Sequence, residues 1–154
     1  MTPARIKPTR AIRGPALTFE GDPFKDGLES TMVYESDAIV AMADGRITHA
    51  GPAATVLPQL PPGTAVEHCG AHALILPGFI DVHAHYPQTS IIGAYARQLM
   101  EWLNQYAFPC EESFRDKAHA RRVADIYLRE ALRNGITTAS VFCTVHPQSV
   151  DALF

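Results

Sequence analysis

Two histidines separated by one residue close the stretch Pro77-Gly78-Phe79-Ile80-Asp81-Val82-His83-Ala84-His85. In a β-strand side chains alternate between faces, so Asp81, His83 and His85 share one side and the two imidazoles lie close enough to bind one ion. Imidazole nitrogen suits zinc at about 2.0 to 2.1 Å, and a coordination position left open activates water for hydrolysis. A bare H-x-H arises by chance on polar strand ends. The apolar strand and the Pro-Gly entry ahead of this one strengthen the metal reading. Of the other histidines, His68 and His72 fall in a turn-rich region and read as solvated loop residues. His49 and His119 read as strand and helix surface, while His146 follows a later strand from which it could reach the same mouth.

The elements around this motif must deliver it. Ala73-Leu74-Ile75-Leu76 and then Phe79 to His83 form an apolar run ending in polar residues, as expected of a buried strand that carries groups to a site. Tyr95, Leu99, Trp102, Leu103 and Tyr106 follow the spacing of one helix face. A second helix is predicted over about 116–134, burying Ala120, Val123, Ala124, Tyr127, Leu128 and Ala131, with Asp116 as N-cap and Asn134-Gly135 as stop. Residues 136–143, β-branched and apolar, read as another buried strand. Strand, helices and strand make one crossover unit of a parallel sheet, so 79–83 and 136–143 should be adjacent and parallel. Barrel enzymes place their chemistry at the C-terminal ends of such strands.

Residues 1–72 read differently, as a small β-rich module punctuated by turns. Asp44-Gly45 lies between Ala38-Ile39-Val40-Ala41-Met42 and Arg46-Ile47-Thr48-His49-Ala50, a hairpin signal. The expected division is therefore 1–72 and 73–154. A parallel sheet of two strands cannot cover its own faces, and 148–154 resembles the start of a further helix, so the expectation is the opening part of something larger.

Composition narrows the classes. Thirteen Lys+Arg against 16 Asp+Glu in 154 residues give a net charge of −3, which rules out a basic nucleic-acid arm or an acidic tail. With 47% hydrophobic and 19% charged residues the chain is too apolar for disorder, and no apolar run is long enough for a membrane helix. Cys69, Cys110 and Cys143 form no C-x-x-C pair, which argues against a disulfide framework or thiolate zinc cage and makes the cytoplasm the default. Arg5, Lys7, Arg10 and Arg13 suggest a transit peptide, but Pro3, Pro8, Gly14 and Pro15 interrupt any amphipathic helix; a basic leading strand is the simpler reading.

Pro-Gly-x-x-Asp-x-His-x-His opening a barrel after a β-rich segment resembles the amidohydrolase superfamily. The run from His83 to Gln88, Glu101-Trp102-Leu103-Asn104, Tyr106, Phe108-Pro109, Asn134-Gly135-Ile136-Thr137-Thr138 and Thr144-Val145-His146-Pro147-Gln148-Ser149 is similar, within it, to the bacterial guanine deaminases. The resemblance covers about 74–154 closely and the β-rich half loosely. It implies a (β/α)8 metal-dependent hydrolase barrel of which this chain holds the start. It also implies Zn2+ held by His83 and His85, with Gln88 on the purine and Leu99 and Trp102 lining its pocket. For Leu99 and Trp102 helix periodicity alone gives ordinary core residues, and for Gln88 a solvated loop amide.

The implied reaction is hydrolysis of guanine to xanthine and ammonia, with no nucleic-acid or membrane partner and with a homo-oligomer allowed. The family's remaining ligands and its acid/base glutamate lie on later strands and have no counterpart here, so the chain alone is expected to be inactive. A different aminohydrolase, a chlorohydrolase-like enzyme and a noncatalytic fragment stay open as alternatives. The zinc deaminase pattern of H-x-E with P-C-x-x-C does not fit, because Pro109-Cys110-Glu111-Glu112-Ser113 lacks the second cysteine.

Overall fold

A computed structural model describes residues 10–154; the leading Pro3, Arg5, Lys7 and Pro8 lie outside the described residues. The chain divides into two compact units, 1–77 and 78–154.

In the first unit, β1 (Arg10–Phe19) pairs antiparallel with β2 (Met32–Ala43), two short helices α1 (Pro23–Asp26) and α2 (Leu28–Thr31) connecting them. Strand β2 returns as β3 (Arg46–Pro52) through the expected hairpin, Asp44 and Gly45 both taking positive φ, 49° and 72°, as a type I′ turn requires. After α3 (Ala53–Val56), β4 (Ala65–His68) lies parallel to β1, giving the order β3-β2-β1-β4. Ala11, Ile39, Ala41, Ala53 and Val56 form the core, with Leu60 and Val66 packed against it.

Arg13 grips Asp37 with two hydrogen bonds of 2.7 Å, which hold the Asp37 carboxyl below its ordinary range. A depressed carboxylate pKa stabilises above the unfolded value and loses that contribution as pH falls through the folded value. We expect Asp37→Asn to remove a small component of stability that is present above about pH 4 and is lost in the wild type as pH falls below it. Urea midpoints at pH 3 and 7 measure it, and an unchanged pH dependence would deny the ion pair any role.

The expected strand start at Ala73 is not observed. Ile75 instead joins the first sheet, bridging to Ala16, with its N–H on the Pro15 carbonyl at 2.8 Å and its carbonyl taking the Leu17 N–H at 3.0 Å. Proline at 77 then supplies no N–H for a ladder, and the next strand, β5, runs Phe79–His85.

In the second unit, β5 pairs in parallel with β6 (Ile136–Phe142), from Phe79 opposite Ile136 to His85 opposite Phe142. Between them come a 3-10 segment (Tyr86–Ile91), α4 (Leu99–Trp102), a π turn (Leu103–Ala107), α5 (Phe108–Glu112), a second 3-10 turn (Ser113–Arg115) and α6 (Lys117–Arg133); α7 (Pro147–Leu153) follows β6. The single helix face expected from Tyr95 to Tyr106 is therefore broken, and Tyr95 and Leu99 are 79% and 70% exposed. Helix α6 matches expectation. Asp116 caps it by accepting the Ala118 N–H at 2.8 Å, and Gly135 ends it at φ 81°.

Helix α6 buries Ala120, Val123 and Ala124 against Tyr86, Phe114 and Ala152; Leu128, expected inside, is 40% exposed. Burying Phe114 whole contributes about 1.5–3 kcal/mol. Val141 packs on this core, whereas Ile80 and Val82, expected in a buried strand, are 67% and 78% exposed. Among the described residues this sheet has two strands, so no third strand or helix layer covers that face.

Glycine at 78 is dictated by the approach of β6. A Cβ there would lie 1.9 Å from Thr137 Oγ1 and 2.4 Å from its Cγ2. Gly78→Ala should cost about 1–3 kcal/mol, read as a lower urea midpoint at unchanged slope. An unshifted midpoint would mean that the two strands do not come so close. Among the described residues no helix is long and apolar enough to cross a membrane.

Candidate metal and substrate site

His83 and His85 converge at the end of β5, while the pairing with β6 shifts register between Asp81 and Ala84, so the alternation does not run unbroken back to Asp81. The Nε2 atoms of His83 and His85 lie 3.2 Å apart. Two nitrogens at about 2.05 Å from one tetrahedral ion are separated by roughly 3.3 Å, so this pair fits two corners of a zinc site. Both rings rest on Phe142, which faces His85 across the strand pair; His85 stacks on it at 4.7 Å and 11°, and His83 tilts against it at 5.1 Å. The Asp81 carboxylate accepts the His83 backbone N–H at 3.1 Å. Among the described residues no cluster of three or more His, Cys, Asp or Glu side chains forms, so two nitrogens are what this site offers an ion.

The chain is pinned immediately after the pair. Tyr86 is fully buried, meets Phe114 edge to face at 5.5 Å, and its hydroxyl donates to the Ser149 carbonyl at 2.6 Å. Burial, and then the neighbouring Cys143 thiol, push its phenol up to about 12. That anchor fixes where the following 3-10 segment presents Gln88. A cavity of about 340 Å³ opens there, lined by His85, Gln88, Ile91, Ala94, Trp102 and Tyr127 among others. The volume suits a small heterocycle, and a mostly apolar wall with few polar groups is the usual build of such pockets.

The expected site residues are thus distributed unevenly. His83 and His85 converge, Gln88 and Trp102 line the cavity, and Leu99 is exposed and outside its lining. Trp102 is held by its indole N–H on the Ala94 carbonyl at 2.9 Å. His146 turns to Glu112, Nε2 to Oε2 3.1 Å, and His119 meets Ser113 Oγ at 2.9 Å.

Three residues escape sequence reasoning. Phe142 looked like strand filling, yet it backs both imidazoles. Tyr127 looked like helix core, yet it lines the cavity with a buried hydroxyl lacking a hydrogen-bond partner; burial, then the Asp81 charge, raises its phenol. Glu111 accepts the Gln88 amide N–H at 2.9 Å. The overlooked signal for Glu111 is Pro109, whose ring would collide in a continuous helix with the Gln105 carbonyl and so favours an irregular turn before it.

A model of the Amidohydrolase family matches residues 74–154. The guanine deaminase of Escherichia coli (strain K12) is 42% identical over 127 residues, which is 82% of this chain and 29% of that enzyme. Its solved structure superposes with a TM-score of 0.85 at 38% identity, covering 94% of this chain and 33% of the other. The crystal structure of guanine deaminase from Bradyrhizobium japonicum gives 0.82 at 33% identity, covering 94% and 31%. The chain spans about a third or less of the length of these relatives. With the strand pair, its intervening helices and these matches in agreement, residues 78–154 have the fold of the opening of a hydrolase barrel, and the chain belongs to the amidohydrolase family.

Proposed function

We propose that the chain serves a zinc-dependent enzyme of purine catabolism in the cytoplasm that hydrolyses guanine to xanthine and ammonia. In this reading 1–72 contribute to a β domain and 73–154 to the barrel. His83 and His85 are two of the zinc ligands, and Gln88 and Trp102 face the purine, whereas Leu99 stands outside the cavity lining. The observation that carries the proposal is the imidazole pair, Nε2 to Nε2 3.2 Å, beside a cavity holding one amide and one indole. Similarity to guanine deaminases at 42% and 36% identity supports the choice of substrate. The three free cysteines support a reducing compartment, and the net charge of −3 argues against nucleic acid as a partner. A homo-oligomer is compatible with the exposed apolar residues of β5.

Zinc, when bound, supplies Lewis acidity that brings a water nucleophile into reach of neutral pH. The residues of this chain hold and orient. Phe142 restricts both imidazoles, so their lone pairs need little ordering on binding. Trp102 gives a flat wall for a planar base. Gln88 carries a donor and an acceptor, which matches the mixed hydrogen-bonding edge of a purine. Protonation of the leaving amine falls to groups outside this set.

The test joins this chain to the rest of the E. coli guanine deaminase in place of the matching residues. Purified with zinc, that enzyme is offered guanine, adenine, cytosine and an aminotriazine. Turnover dominated by guanine supports the proposal; preference for another heterocycle, with guanine untouched, overturns it.

A further inference from the structure

We infer that Glu111 is a positioning residue for substrate selection: it holds the Gln88 amide against flipping, so that its donor and acceptor keep a fixed order. The inference rests on the guanine-site reading for the identity of the base but not for the geometry. A glutamine amide has an acceptor end and a donor end, and a free one flips between them. A carboxylate is acceptor only. With Gln88 Nε2 donating one N–H to Glu111 Oε1 at 2.9 Å, the amide is held against flipping, and its carbonyl oxygen and second N–H stay free for a ligand. Gln88 then keeps its carbonyl oxygen and one N–H in a fixed order, which favours a ring edge carrying an N–H beside an acceptor.

The backbone supports this assignment independently. Trp102 and Glu111 are nine positions apart; in a regular α-helix, at roughly 100° per residue, they would point to nearly opposite sides. The π turn Leu103–Ala107 intervenes, with the Phe108 N–H reaching back five residues to the Leu103 carbonyl. One residue absorbed in this way brings the two positions to roughly 80° apart. The turn lets Trp102 line the cavity while Glu111 holds the residue that lines it from across. Pro109 favours an irregularity here, because a regular α-helical continuation would drive its ring into the Gln105 carbonyl. π turns of this kind are frequent at functional sites.

Two measurements test the inference. In the 154-residue chain itself, the Gln88 side-chain amide is followed by nitrogen-15 NMR in wild type, Glu111→Met and Glu111→Gln. Methionine is near in length and a good helix former, so it spares the fold while removing the acceptor. One Gln88 amide proton should resonate apart from solvated glutamines in wild type and join them in Glu111→Met. Identical Gln88 signals in both would overturn the contact. In the joined enzyme, Glu111→Met should raise KM for guanine about tenfold with kcat nearly unchanged, and Glu111→Gln, which keeps an acceptor oxygen, should recover most of the loss. A fall in kcat at constant KM, or no kinetic change, would overturn the positioning role. Absence of guanine turnover by the wild-type joined enzyme would defeat the guanine-site reading instead, while the NMR result still decides whether Glu111 orients Gln88.

Discussion

Replacing His83 with alanine in the joined enzyme should remove zinc and guanine turnover together. The expectation is a loss of more than about a hundredfold in activity, because changing even an outer-shell partner of a metal ligand costs roughly ten- to a hundredfold. His85→Ala should do the same, since the pair acts as one donor set 3.2 Å across. Phe142→Ala should do less, loosening the rings without removing a nitrogen. Zinc content by mass spectrometry and xanthine formation, measured on the same preparation, give the answer. Full activity with unchanged zinc in either histidine variant would separate the pair from the chemistry.

The second large effect concerns the 154-residue chain by itself, which should not deaminate guanine at a measurable rate. A catalytic zinc usually takes three protein ligands and a water, and the described residues offer two nitrogens with no third His, Cys, Asp or Glu in the cluster. Its ion should therefore be held weakly and its water poorly directed. His83 is itself exposed and only His85 of the pair lines the cavity of about 340 Å³, so water is not excluded from the reacting groups. An ammonia-release assay on zinc-loaded chain, beside the joined enzyme, tests this. Robust turnover that disappears on His85→Ala would show that the chain, or a second copy of it, completes the ligand set.

Local chemistry made much of this legible. The Asp44-Gly45 hairpin, the Asp116 and Gly135 ends of α6 and the parallel β5–β6 pair all follow from rules that act within a few residues or from simple alternation. The convergence of His83 and His85 follows from the same alternation. The expected strand at Ala73 failed because an apolar run does not say which sheet it joins; Ile75 found its partner at Ala16. The continuous helix face failed for a different reason. The spacing from Tyr95 to Tyr106 assumes a regular backbone, and the π turn at Leu103–Ala107 rotates everything after it, which puts Glu111 beside Gln88. Tyr127 illustrates a third limit, since a helix face shows that a phenol turns inward but not that its hydroxyl finds no partner there.

X-ray absorption at the zinc edge, recorded on the zinc-loaded joined enzyme and on its His83→Ala/His85→Ala variant, tests the central claim most directly. Imidazole nitrogen scattering at about 2.0 to 2.1 Å is expected in the first, and its loss, with the zinc, in the second. An unchanged spectrum in the double variant would place the metal elsewhere and contradict the reading of β5 as a metal-bearing strand.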